Sequence, residues 1–153
     1  MNLDRKQTLF VKTPLLIGGA ITLFIGIGHI FIPAMGYEES VPQSMQPAIR
    51  DHFYYLATYA ICSFLLAFGL LSIYFSRTGP SRHTTVFAAI MALVWITRMV
   101  LEFIYPVEVR IFMLEHPHEV LRGVIFLVAL LYVIPSVYGC VDSFEAKDVN
   151  PSL

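Results

Sequence analysis

Residues 53–75 read FYYLATYAICSFLLAFGLLSIYF and include no charged side chain in 23 positions. A helix of about 20 apolar residues crosses the hydrocarbon core of a bilayer. This run therefore predicts a membrane-spanning helix. Three further runs of similar length and character occupy about residues 14–32, 84–105 and 120–141. The chain is predicted to cross the membrane four times.

The composition agrees with a membrane protein. Apolar residues make up 57% and charged residues 14% of the 153 positions, against roughly 45–50% and 25% in soluble domains. The net charge is −1, so no basic field indicates a nucleic-acid partner. The lipid bilayer is the expected surrounding, and partner membrane subunits are possible. The two cysteines, Cys62 and Cys140, lie in apolar runs and suggest no disulfide framework.

Short connections between the runs predict an all-α fold, an integral membrane antiparallel four-helix bundle with both termini on the same side. The whole chain, residues 1–153, is expected to form one domain, with a polar tail at residues 142–153. Six Lys and Arg residues flank the spans on the side of the termini, and three flank them on the other side. The positive-inside rule therefore predicts cytoplasmic N- and C-termini.

Two charges interrupt the third run, in the stretch Trp95–Pro106. Arg98 and Glu102 stand four residues apart, so on a helix they share a face and can form an ion pair. A charge at membrane depth is costly and generally faces a partner, a cavity or a site. These two residues are therefore the first candidates for a functional site.

Other polar residues fall near the same, outer end of the predicted bundle. His29 lies one turn from the end of the first span, as Glu102 does in the third, and each stands four residues before a proline. This weak repeat places His29 and Glu102 at one depth. His52 opens the second span, and His118 and Arg122 open the fourth.

Helical periodicity predicts which faces turn inward. His29 shares a face with small residues of the first span. His52 shares a face with polar residues of the second span, which we expect to face the interior as well. Trp95 is expected to pack inside, near Arg98. The two predicted inward stripes are Gly18, Thr22, Gly26 and His29, and His52, Tyr55, Tyr59 and Ser63.

Such a constellation suits three redox cofactors. Haem b would take His29 with His52 or His118 as ligands, and Arg50, Arg98 or Arg122 would pair with its propionates. A transition metal ion would take His29, His52, Glu102 and His118 as its ligands. A quinone would need a His or Glu to accept a proton and a Tyr or Arg to orient the ring. None of the recognised metal motifs occurs on a single helix.

Two other functional hypotheses are alternatives to cofactor binding. In one, the chain is a non-enzymatic membrane subunit or small carrier in which Arg98 and Glu102 are a structural or gating pair. In the other, it is a lipid-modifying enzyme that uses Glu102 as general acid or base. Arg98 and Tyr59 are the further candidate catalytic residues. The sequence leaves open whether the chain is an enzyme.

Overall fold

The computed structural model describes residues 3–31, 46–105 and 117–149, and all regular secondary structure in these ranges is helical. Helix α1 (Leu3–Gln7) continues through a π-helical turn (Thr8–Lys12) into α2 (Thr13–His29). The other helices are α3 (Pro47–Thr78), α4 (Arg82–Ile104) and α5 (Pro117–Val149). His116 and the connections 32–45 and 106–116 lie outside the described residues.

The prediction of an all-α chain with four long apolar helices is confirmed. The four segments Asp4–His29, Pro47–Thr78, Arg82–Ile104 and His118–Val141 are each long and apolar enough to cross a membrane. The helices extend beyond the predicted runs because hydropathy marks their apolar parts and not their polar ends. At the C-terminus, α5 continues through most of the predicted polar tail.

The helices pack as two pairs that follow the sequence. Helix α2 packs along α3, and α4 packs along α5, while α2 and α5 join the two pairs. Helices α3 and α4 make few contacts with each other although a short turn connects them. We call the end that carries this turn the proximal end, and the end that carries His29, Ile104 and His118 the distal end.

Small residues let α2 and α3 approach closely. A Cβ atom added at Gly69 would lie 2.9 Å from the backbone nitrogen of Leu23 and 3.0 Å from the carbonyl oxygen of Gly19. A Cβ atom at Gly26 would lie 3.0 Å from Cβ of Leu65. Gly18, Thr22 and Gly26 of the predicted stripe are all buried, so the stripe is confirmed as a packing face, and Gly19 beside it forms the close contact with Gly69 of α3.

Replacing Gly69 with Ala tests this close contact. The added methyl group would contact backbone atoms, which can move only if the whole helix shifts. We therefore expect the free energy of unfolding in detergent to fall by about 1–3 kcal/mol. Gly28→Ala is the matched control, because nothing lies within 4 Å of its added Cβ. That control should be neutral or stabilising by up to about 1 kcal/mol. Equal free energies of unfolding in the two variants would contradict the close packing of α2 and α3 at Gly69.

The turn between α3 and α4 is fixed by its own side chains. Gly79 has a φ of 81°, a value that residues with a Cβ atom rarely adopt. The Ser81 hydroxyl accepts a hydrogen bond of 3.1 Å from the Thr84 backbone N–H and so caps α4. The Thr84 hydroxyl donates a bond of 2.8 Å to the Gly79 carbonyl. These bonds hold the two helix ends together at the proximal end.

The core lies mainly where α2, α4 and α5 meet. Its buried apolar residues are Val11, Leu15, Ala88, Met91, Ala92, Trp95, Ile125, Val128, Ala129 and Tyr132. Outside this core, large apolar side chains such as Phe24 and Leu93 are 77% and 66% exposed. An apolar exterior around a small core is the pattern expected of helices whose solvent is lipid.

Candidate functional site

The ion pair predicted in α4 is present. Arg98 Nη2 lies 2.7 Å from Glu102 Oε2, one helical turn apart. The Glu102 side chain is fully buried, whereas 39% of the Arg98 side chain is exposed. The carboxylate is therefore enclosed by protein, and the guanidinium contacts it from a partly exposed position on the same helix. Breaking such a pair leaves a buried charge without its counter-ion.

Two further polar groups lie on or against α4. Trp95 is buried, as predicted from its place in the run, and its Nε1 atom makes no hydrogen bond within the described part of the chain. The Arg122 guanidinium lies over the Phe103 ring, 5.1 Å from its centroid. A cation above an aromatic face is stabilised by the ring quadrupole. Arg122 is thus held against α4 at the distal end.

His29 closes α2 and is bonded within its own helix. Its Nδ1 atom lies 2.8 Å from the Ile25 carbonyl oxygen, and the ring is half-buried. Because a carbonyl oxygen only accepts, this bond places a proton on Nδ1 and leaves Nε2 as the acceptor nitrogen of the neutral ring. The buried stripe of Gly18, Thr22 and Gly26 lies on the same face, as expected.

The helix contacts show which of the candidate residues share a height. Gly18 lies against Tyr132, and Gly139 lies against Thr85. Counting along the antiparallel helices from these contacts places His29, Glu102 and Arg122 at one level near the distal end. These contacts are consistent with the common depth predicted for His29 and Glu102. His118 stands one turn further out on α5.

The predicted placement of His52 is wrong. Gly26 lies against Leu65, so His29 falls opposite Cys62, ten residues after His52 on α3. With a rise of 1.5 Å per residue, His52 lies about 15 Å beyond the level of His29. Helix α3 begins well outside the level at which α2 ends. Sequence position relative to an apolar run did not show this overhang.

The predicted inward face of α3 is also wrong. Its polar stripe lies on the exposed side, where Tyr55 and Tyr59 are 40% and 51% exposed and their rings are stacked. The buried side carries smaller residues, namely Thr58, Cys62, Gly69, Ser72 and Ser76. Close packing on the glycines of α2 leaves no room for tyrosine rings, so the small residues take the inner face and the tyrosines turn outward.

The four proposed metal ligands do not come together. No group of three His, Cys, Asp or Glu side chains suited to a metal ion occurs in residues 3–31, 46–105 and 117–149. His29, His52, Glu102 and His118 all belong to these ranges, so the structure does not support the predicted four-ligand metal site. The height of His52 and its exposed face are the structural reasons.

Sequence reasoning missed a buried polar cluster that joins three helices. The Tyr132 hydroxyl of α5 lies 2.6 Å from Ser72 Oγ of α3 and 3.3 Å from Thr22 Oγ1 of α2. Thr22 also donates a bond of 2.8 Å to the Gly18 carbonyl. All three side chains are fully buried. Tyr132 and Ser72 lie in apolar runs that contain several other polar residues, and helical periodicity alone does not predict that these two meet.

Two open grooves lie at the proximal end, away from the ion pair. One, with a volume of about 430 Å³, is apolar and lies between Phe10 and the C-terminal half of α5. The other, of about 380 Å³, lies between α3 and α4. Neither groove is lined by Arg98, Glu102, His29 or Arg122.

Comparison of the chain with protein-family models, with curated proteins and with solved structures finds no match.

Proposed function

We propose that this chain is a non-enzymatic subunit of a membrane assembly, in which Arg98 and Glu102 form a structural pair. The observation that carries the proposal is the outward stripe of α3, defined by His52, Tyr55, Tyr59 and Ser63, all of which are exposed. Polar side chains on the outside of a membrane helix favour association with another helix that offers hydrogen-bonding groups. The expected partner is therefore another membrane protein.

The buried polar groups support the same reading. Glu102 is paired with Arg98, the Tyr132 hydroxyl is bonded to Ser72, and His29 is bonded to its own helix. The Tyr132–Ser72 bond joins α5 to α3, and the other two interactions each satisfy polar groups within a single helix. Interactions of this kind stabilise a scaffold without requiring a ligand.

Site-specific photo-cross-linking tests the subunit proposal. A photoreactive phenylalanine analogue at Tyr59 should give one discrete adduct with a partner membrane protein in native membranes. The same analogue at Ile104, which is 58% exposed on α4, is the control and should give none. An adduct between Tyr59 and a second copy of the chain would show that the partner is the same protein and that the assembly is a homo-oligomer. Equal or absent adducts at both positions would contradict the proposal.

A second candidate is binding of haem b or a quinone at the distal end. It is favoured by the His29 Nδ1 bond to a carbonyl, because ligand histidines commonly donate their other ring N–H in this way. Arg98 or Arg122 would supply the charge that pairs with propionates or orients a ring. Under this candidate, His29→Ala should abolish binding of the cofactor, and retained cofactor would refute it.

The lipid-enzyme reading remains a third proposal. It assigns Glu102 as the acid or base, with Arg98 and Tyr59 beside it. Tyr59 lies on the exposed face of α3, whereas Glu102 is enclosed on the inner face of α4. These opposite placements make the subunit reading the better supported of the two. Loss of lipid turnover in Glu102→Gln would favour the enzyme.

A further inference from the structure

The groove between α3 and α4 combines an apolar slot with basic side chains. Its apolar wall consists of Phe75, Val86, Phe87 and Ile90, and its volume is about 380 Å³. The Phe75 and Phe87 rings are in contact, with centroids 4.8 Å apart. Because α3 and α4 make few other contacts, the slot opens sideways to the surroundings of the helices.

Basic residues edge this slot at the proximal end. Arg82 and His83 line the groove itself, and both are exposed. Arg77 ends α3 on the other side of the turn, and the Lys12 Cε atom lies 3.4 Å from a Cβ atom built at Gly79. The segments that meet at the proximal end, including the end of α5, together contain six Lys and Arg residues and four Asp and Glu residues.

This geometry matches an amphiphile with one anionic end. A slot among apolar side chains accommodates an acyl chain, and cationic side chains at the same membrane interface attract a phosphate. In a membrane-spanning arrangement, the proximal turn lies where lipid headgroups lie, since α3 and α4 cross from there. We propose that the α3–α4 groove binds an anionic phospholipid, with Arg82 at its headgroup and the slot along an acyl chain. This inference does not depend on the proposed subunit function.

Lipid selectivity is the first test. The purified full-length protein, stripped of lipid in detergent, is mixed with phosphatidylglycerol and phosphatidylcholine of identical acyl chains, and bound lipid is counted by native mass spectrometry. We expect preferential retention of phosphatidylglycerol. Arg82→Gln should weaken this retention about fivefold, the equivalent of roughly 1 kcal/mol for one cationic side chain at the membrane surface. Arg5→Gln removes one charge from exposed α1 and should leave retention unchanged.

A second pair of variants tests the slot without changing charge. Val86 lines the groove and is 51% exposed, so Val86→Trp should fill the slot and lower phosphatidylglycerol retention. Leu93 is 66% exposed on α4 and does not line the groove, so Leu93→Trp is the control for an added ring. Circular dichroism and size-exclusion chromatography identify the variants that are folded. Lipid retention is compared only between folded variants and their folded controls.

Three outcomes would overturn the proposal. Equal retention of the two lipids by the wild type would show that no anionic site exists. Equal losses in Arg82→Gln and Arg5→Gln would show general attraction to a basic surface. Unchanged retention in Val86→Trp would show that the slot holds no acyl chain. Selective retention that is lost in Arg82→Gln and Val86→Trp and kept in both controls supports the site.

Discussion

Arg98→Met should lower the free energy of unfolding by about 3–5 kcal/mol, because the fully buried Glu102 carboxylate loses its counter-ion. Glu102→Leu should cost less, since the Arg98 side chain is 39% exposed and can extend toward the membrane surface. The double variant should recover most of the loss, because two apolar side chains of similar volume replace the pair. Reversible unfolding of the purified protein in mixed micelles measures all four stabilities.

Arg77→Met is the control for this cycle, since it removes an exposed arginine at the end of α3. It should change stability by less than about 1 kcal/mol. A double variant that is as unstable as Arg98→Met would contradict a purely structural pair. So would single variants that equal the wild type in stability.

Tyr132→Ala should be the other strongly destabilising change. It removes a fully buried ring from the core together with the hydroxyl that joins α5 to Ser72 and Thr22. Loss of a large buried aromatic side chain costs about 3–5 kcal/mol. The same unfolding measurement checks it, with Tyr74→Ala as the control because Tyr74 is 60% exposed. Comparable losses in the two variants would refute the assigned role of Tyr132.

Tyr132→Phe separates the hydroxyl from the ring. It leaves the buried Ser72 hydroxyl without the Tyr132 oxygen, 2.6 Å away in the wild type, and should cost about 1–3 kcal/mol. Adding Ser72→Ala should restore stability, because removing both partners leaves no unsatisfied polar group. No recovery in the double variant would mean that the bond between these two hydroxyls contributes little.

The four helices and the ion pair are predictable from the sequence because each depends on one segment alone. Apolar runs set the spans, and the spacing of Arg98 and Glu102 sets their contact within one helix. The inward stripe of α2 is also predictable, since glycines in a membrane helix indicate close packing. The described parts of the chain bear out these local inferences.

The arrangement between helices was not predictable in the same way. Polarity alone predicts that the polar stripe of α3 faces inward, but the close approach of Gly19 and Gly69 decides which face packs. The register between α2 and α3 sets how far α3 extends beyond α2. This register places His52 away from the level of His29. The Tyr132 cluster likewise requires three helices to meet, which no single run encodes.

We propose that the distal polar residues stabilise a membrane subunit and hold no resident redox cofactor. An absorption spectrum of the protein purified in mild detergent from its native membrane, with metal analysis and quinone extraction on the same sample, tests it most directly. We expect no Soret band, no stoichiometric metal and no stoichiometric quinone. A Soret band that shifts on reduction and disappears in His29→Ala would contradict it, as would one equivalent of metal or of quinone per chain.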